Sequence, residues 1–313
     1  MRALTIQDQN LIVSERPDPE PGVGELLVRV RGAGINGLDM LQRRGAYPAP
    51  PGSPPDIPGV ELAGEVAAVG PGVSRFSEGN RVMAVVGGGA QAELALVHER
   101  AAMPVPDAID WPQAGGLPEV FTTAHDALFT QAGLRPGEHL LVHGAAGGVG
   151  TAAVQLGRAV GARVTATVRR EEGRPEVEKL VADAIAPEDF GESGPYDVIL
   201  ELVGAANLAE NLDSLALGGR IAVIGVGGTG PKAEINLLKL MQKRGRIYGS
   251  TLRARPLEEK AICARLVERE VLPRFEDGTF EVPLADTFAL DDAEAAYERF
   301  TAGGKLGKIV LLP

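Results

Sequence analysis

The segment Gly144-Ala145-Ala146-Gly147-Gly148-Val149-Gly150 carries the most readable chemistry in this chain of 313 residues. A phosphate approaches a backbone closely only where no Cβ intervenes, so glycine is needed at the contact points. A helix that starts there aims free N–H groups and a partial positive charge at the anion. Ala145-x-Gly147-x-x-Gly150 fits the dinucleotide fingerprint, with alanine at the first glycine place. The expected contacts are Ala145, Gly147, Gly148, Val149 and Gly150. Farther on, Val168-Arg169-Arg170 ends the next apolar stretch, and Arg174 follows Glu171-Glu172-Gly173. No acid stands where a ribose 2′-hydroxyl is usually held, and Arg offers phosphate a bidentate fork. Arg169, Arg170 and Arg174 therefore point to NADPH; the other reading is a solvated helix entry with local Glu partners.

The elements around this turn give it its context. His139 to His143 reads as a short buried strand, a helix is expected from near Thr151 to Gly161, and Arg163 to Val168 reads as the next strand. Before Trp111 the chain reads β, as short strands split by Gly- and Pro-rich turns: Leu11 to Val13, Glu25 to Val30, Glu61 to Val69, Arg81 to Val86 and Gln91 to Val97. After Trp111 come helices (Trp111 to Ala114, Phe121 to Gln131) and alternating units with strands at Tyr196 to Val203, Arg220 to Val226 and Arg246 to Thr251. That alternation predicts a doubly wound parallel sheet. From about Phe280 the tail returns to short strands and one helix, Asp292 to Thr301, and is expected to rejoin the β-rich part. The predicted fold is α/β: residues 1–116, completed by 280–313, form a β-barrel domain, and 117–279 form the dinucleotide-binding domain. Substrate is expected between the two.

Composition narrows the function. Hydrophobic content of 44% and charged content of 23% suit a globular enzyme. A net charge of −11 argues against nucleic acid as a partner. No apolar run reaches the length of a membrane span, and a cytoplasmic location is expected. Cys263 is the only cysteine, so neither an intrachain disulfide nor a multi-cysteine zinc site can form. His98, His125, His139 and His143 form no metal-ligand motif, and no metal site is predicted. Asn36 and Asp39 lie where they can cap a helix beginning near Leu38, and Tyr47 precedes Pro48 in a loop.

Taken together, GINGLDMLQRRGAYP, IPGVELAGEV, LPEVFTTAHDALF, AAGGVG, ILELVG, GSTLRAR and LGKIVL resemble, in order and over nearly the whole chain, the quinone oxidoreductases. These are the zinc-free, zeta-crystallin-like branch of the medium-chain dehydrogenase/reductase superfamily. The resemblance implies a GroES-like barrel, a Rossmann domain, NADPH and a quinone or other conjugated carbonyl as acceptor. It implies Asn36, Asp39, Tyr47 and Thr123 as residues near the nicotinamide, with Tyr47 a hydrogen-bond donor. It places Gly225, Val226, Ser250, Thr251 and Leu252 on the carboxamide side and Lys305 where relatives often use Asn. Zinc-dependent cousins hold metal at places matched here by Asn36 or its neighbours and by Val60-Glu61, so Glu61 is expected to organise the site by hydrogen bonding. Relatives dimerise through the Rossmann edge strand, which implies a homodimer paired along Arg246 to Thr251. The chain departs from the pattern at Gly173, where relatives often carry Lys, at Val181 in Leu180-Val181-Ala182-Asp183, and at Gln91. Two alternatives stand beside NADPH:quinone reduction: reduction of the C=C bond of enones or 2-alkenals, and a structural or regulatory NADPH-binding role with little turnover.

Overall fold

A computed structural model describes residues 1–180 and 183–313; the Val181 departure lies outside the described residues. Two compact units form. Unit 1 comprises 1–122, 252–303 and 308–313, and unit 2 comprises 123–251 and 304–307.

Unit 1 holds a hairpin and a seven-stranded sheet. The hairpin pairs β1 (Arg2–Gln7) with β2 (Asn10–Glu15), and Asp8 and Gln9 turn it with positive φ. The sheet takes β3 (Glu25–Gly34), β4 (Glu61–Val69), β5 (Arg81–Val85), β6 (Leu94–His98) and β7 (Ala102–Pro104) from the first part of the chain. Its order is β14-β15-β3-β4-β5-β7, with β6 also on β3; β14 is Leu284–Ala289 and β15 is Lys308–Leu312, both from the tail. Alternation puts Leu26, Val28, Val30, Leu62, Val66, Val82, Ala84 and Val97 into one apolar interior. Between β3 and β4 lies helix α1 (Gly37–Arg43), and before the unit boundary comes α2 (Trp111–Gly115), opened by a capping box from Asp110 to Gln113. Helix α3 (Pro118–His125) follows and continues into a π-helical turn over Asp126–Gln131, where a single regular helix is expected from the sequence.

In unit 2 a six-stranded sheet has the order β10-β9-β8-β11-β12-β13, all parallel. The strands are β8 (His139–Val142), β9 (Arg163–Thr167), β10 (Asp183–Ile185), β11 (Tyr196–Glu201), β12 (Leu215–Val223) and β13 (Arg246–Gly249). Strand order reverses on either side of β8, the place where such sheets open a crevice at their carboxyl ends. The crossovers carry α4 (Gly148–Ala159), α5 (Arg174–Lys179), α6 (Phe190–Ser193), α7 (Leu208–Asp213) and α8 (Leu237–Lys243). Helix α4 starts three residues before the expected Thr151, because the glycines themselves enter the helix. Gly161, at φ 83°, ends it. Gly157 lets it lie close on β8: a Cβ there would meet Leu140 Cδ2 at 2.6 Å.

Helices α9 (Leu257–Glu270) and α10 (Leu272–Glu276) belong to unit 1, so residues 252–279, expected from the sequence with the parallel sheet, fall in unit 1 instead. The contacts explain it. Arg75 pairs with Glu268 at 3.1 Å, Arg265 Nη1 donates to Arg100 C=O at 3.0 Å, and Phe275 meets Phe121 edge-on at 5.0 Å. The last helix, α11 (Ala293–Ala302), covers β15 through Ala296, Tyr297 and Ile309. Of the described helices, none is long and apolar enough to cross a membrane.

Candidate functional site

In unit 2 the expected cofactor residues gather at the carboxyl ends of the parallel strands. In the turn after β8, Gly150 has no room for a side chain: an added Cβ would lie 2.6 Å from Ala145 Cα. The first helical hydrogen bond of α4 is Thr151 N–H to Gly147 C=O at 2.8 Å. The N–H groups of Gly148, Val149 and Gly150 precede it and point out of the helix end. Segment 304–307 closes on this turn, with Gly307 N–H donating to Ala146 C=O at 2.8 Å. Lys305, on that segment, donates to Gly307 C=O at 2.7 Å.

Beneath the turn runs a buried polar chain. Gly144 N–H donates to Thr167 Oγ1 (3.2 Å), which faces His143 Nδ1 (3.2 Å); His143 Nε2 meets Asn211 Oδ1 (2.8 Å). Asn211 Nδ2 then donates to Glu201 Oε2 at 2.9 Å. The acceptor Oδ1 fixes the proton on Nε2, so the Thr167 hydroxyl donates to Nδ1. Burial holds the His143 pKa below its ordinary value, against the pull of Glu201. His139 is likewise hydrogen-bonded, between Pro195 C=O and Thr165 Oγ1, and both histidines are structural.

After β9, Arg169 and Arg170 are exposed and Arg174 is half-buried. Arg170 lies over Gly304, where an added Cβ would overlap its guanidinium. The Nε of Arg174 is buried with no hydrogen-bond partner. Gly225 follows β12 and packs on Leu202, where a Cβ would overlap the carbonyl. Val226 is exposed beyond it. Ser250 and Thr251 follow β13; Ser250 Oγ donates to Asp126 Oδ2 at 3.4 Å. Leu252, the next residue, falls in unit 1. Thr123 is buried on α3, as the first residue of unit 2.

In unit 1, Asn36, Asp39 and Tyr47 are brought together around α1. Asn36 is its N-cap, and Asp39 reaches back in a capping box, accepting from Asn36 N–H at 2.8 Å. Its other oxygen accepts from Gly59 N–H at 3.1 Å. Asp39 is fully buried, and desolvation pushes its pKa from 3.8 up to about 6, against those hydrogen bonds and the charges of Lys308 and Arg253. Asn36 Nδ2 donates to Glu61 Oε1 at 2.8 Å. Glu61 organises its surroundings by hydrogen bonding, as expected: its Oε2 accepts from Glu119 N–H at 2.8 Å. Tyr47 is half-buried, and its ring faces the Arg253 guanidinium at 5.5 Å.

Two residues have no role in the sequence reading. Arg253 is 3% exposed and ties helix α1 to two loops, donating to Gln42 Oε1 (2.6 Å), Tyr47 C=O (3.3 Å) and Gly87 C=O (2.7 Å). Lys308 opens the apolar strand β15 and is 3% exposed. A lysine at the head of such a run was the available sign. Gln91, the departure from an aromatic, is buried and accepts from the Tyr297 hydroxyl at 2.8 Å.

Two family models match the chain: an alcohol dehydrogenase GroES-like domain over residues 22–107 and a zinc-binding dehydrogenase domain over 148–268. A quinone oxidoreductase of Rattus norvegicus is 35% identical over 312 residues, covering 94% of this chain and 91% of that protein. The chain belongs to the quinone oxidoreductase branch of the medium-chain dehydrogenase/reductase superfamily. Among solved structures, a mycobacterial protein complexed with NADPH superposes with a TM-score of 0.88 at 28% identity, covering 100% of both chains. A cobalt- and zinc-bound alcohol dehydrogenase from Pyrobaculum aerophilum reaches 0.85 at 29% identity, covering 100% of this chain and 99% of that one. The fold is thus a GroES-like domain with a Rossmann domain, and the protein is an oxidoreductase of this family.

Proposed function

We propose that the protein is a zinc-independent NADPH:quinone oxidoreductase. The observation that carries the cofactor reading is the glycine turn at the α4 N-terminus, followed after β9 by the buried, unpartnered Nε of Arg174. The turn suits pyrophosphate and the arginines suit a 2′-phosphate. Ala145, Gly147, Gly148, Val149 and Gly150 take the pyrophosphate in this reading. Arg169, Arg170 and Arg174 take the 2′-phosphate; Gly225, Val226, Ser250, Thr251 and Leu252 flank the carboxamide, and Lys305 adds a cation beside the turn. The NADPH complex of the mycobacterial protein supports the same choice.

NADPH supplies a hydride. The quinone is electron-poor, and the hydroquinone anion that forms is delocalised, so neither a Lewis acid nor a strong acid group is required and water supplies the proton. Positioning is then the protein's task. Among the described residues the Tyr47 hydroxyl pairs with no other side chain, which leaves it to donate to the acceptor oxygen. Asn36 and Asp39 spend their polar atoms on the frame around α1. Thr123 is assigned to the nicotinamide side. A homodimer is proposed through β13, which ends its sheet. Beside it, α8 exposes Leu237 (64%), Leu238 (62%) and Met241 (71%).

The test is a titration of NADPH and NADH followed by steady-state assays with 1,4-benzoquinone, a naphthoquinone and a 2-alkenal. The expected result is the highest kcat/KM with a quinone. An alkenal value above every quinone's by tenfold or more overturns the acceptor. Tight NADPH binding without turnover of any acceptor overturns the enzymatic reading.

A further inference from the structure

The family description names zinc, so the donors at the matching places decide whether zinc suits this chain. Zinc takes thiolate, imidazole and carboxylate ligands. Here Val60 offers none, and the oxygens of Asn36 and Glu61 are turned onto another cation. Lys308 Nζ lies 2.6 Å from Glu61 Oε1, 2.7 Å from Asn36 Oδ1 and 2.9 Å from Ile35 C=O. The three N–H donors of an ammonium meet three acceptors, so the charge is fully enclosed. The residues present do not fit a zinc ion.

We propose that the Lys308 ammonium is the resident cation of this site. Its oxygen cage ties β15 to the β3–α1 junction and the start of β4, and Glu61 Oε2 extends the link to the first turn of α3. The cage fixes the Asn36 amide in one sense. The reversed amide would set its NH₂ against the ammonium and its oxygen against the carboxylate. By holding Glu61, Lys308 also fixes the first turn of α3 at Glu119. Lys308 is thus a positioning residue that acts through Asn36 and Glu61. This role rests on the proposed reaction only for its effect on turnover; the cage itself is independent of the acceptor.

The experiment uses the full-length protein. In Lys308→Ala a buried carboxylate loses its cation, and Tm is expected to fall by on the order of 10 °C. Propylammonium chloride should restore much of that loss saturably. Tetramethylammonium chloride at equal ionic strength, which cannot donate hydrogen bonds, should not. Adding Glu61→Gln to Lys308→Ala should abolish the amine response. A folded Lys308→Ala protein with unchanged Tm, or one indifferent to propylammonium, overturns the proposal. Should Lys308→Ala not fold, the Lys308→Met/Glu61→Gln pair removes both charges at similar volume and should fold. It is expected to keep the NADPH Kd and lose at least tenfold in kcat; wild-type kcat overturns the proposal. If the wild-type protein turns over no acceptor, the proposed activity fails while the amine-dependent Tm still decides the cage.

Discussion

Asp39 is where burial and charge oppose each other most directly. Its carboxyl is pushed up to about 6 by desolvation, while the unfolded chain releases the same proton near 3.8. Below about pH 4 both states hold the proton and this group's contribution to stability is complete. As pH rises toward 6 the unfolded state ionises first, and that contribution is lost. Asp39→Asn cannot ionise. Its stability relative to wild type is expected to improve by up to about 3 kcal/mol between pH 4 and pH 7, as read by urea unfolding at each pH. An unchanged difference across that range would refute the raised pKa. His143 works in the opposite sense: its depressed pKa contributes stability above its ordinary value of 6.5 that is lost as pH falls. The comparison with Asp39→Asn isolates one group from the other.

At the scale of elements, the strand–turn–helix around Gly144–Gly150 was legible because its requirements are local. Glycine permits close approach, the helix end supplies N–H groups, and alternation marks the strands on either side. Gly150→Ala sets a Cβ against the Ala145 backbone, which cannot rotate away. It is expected to lower Tm by about 5 °C and weaken NADPH binding at least tenfold, measured by thermal unfolding and fluorescence titration. Arg170→Ala with Arg174→Ala should raise the NADPH Kd about tenfold or more and leave NADH nearly unchanged. Equal losses for both cofactors would remove the 2′-phosphate assignment. The Lys308 cage was not legible, although LGKIVL and IPGVELAGEV both carry the family resemblance. Its partners Lys308 and Asn36 stand 272 residues apart, and no local pattern announces which strand will receive a lysine. The same holds for Arg253, whose three acceptors come from helix α1 and two loops. The π-helical turn after α3 is indistinguishable from ordinary helix in the sequence, because its residues carry the same apolar spacing. The placement of α9 with unit 1 depended on the pairing of Arg75 and Glu268, which periodicity does not encode.

At the scale of the whole molecule, the free side of β13 and the apolar surface of α8 make assembly measurable. If two copies pair there, Leu238→Glu with Met241→Glu should convert the species seen by sedimentation velocity from dimer to monomer. Far-UV circular dichroism should stay unchanged, because both side chains are largely exposed. A wild-type protein that sediments as a monomer at every concentration would remove the dimer.

The return of segment 304–307 to the glycine turn has a temporal consequence. During synthesis the turn leaves the ribosome long before Gly307 does, so Ala146 C=O waits for its partner through all of α9, α10 and α11. A fragment ending at Thr251 would contain every strand of the parallel sheet and still lack the residue that closes its glycine turn. Under the proposed function, the nascent chain should therefore gain full NADPH affinity only after Gly307 has emerged. Cofactor binding would then report the arrival of segment 304–307 at its turn.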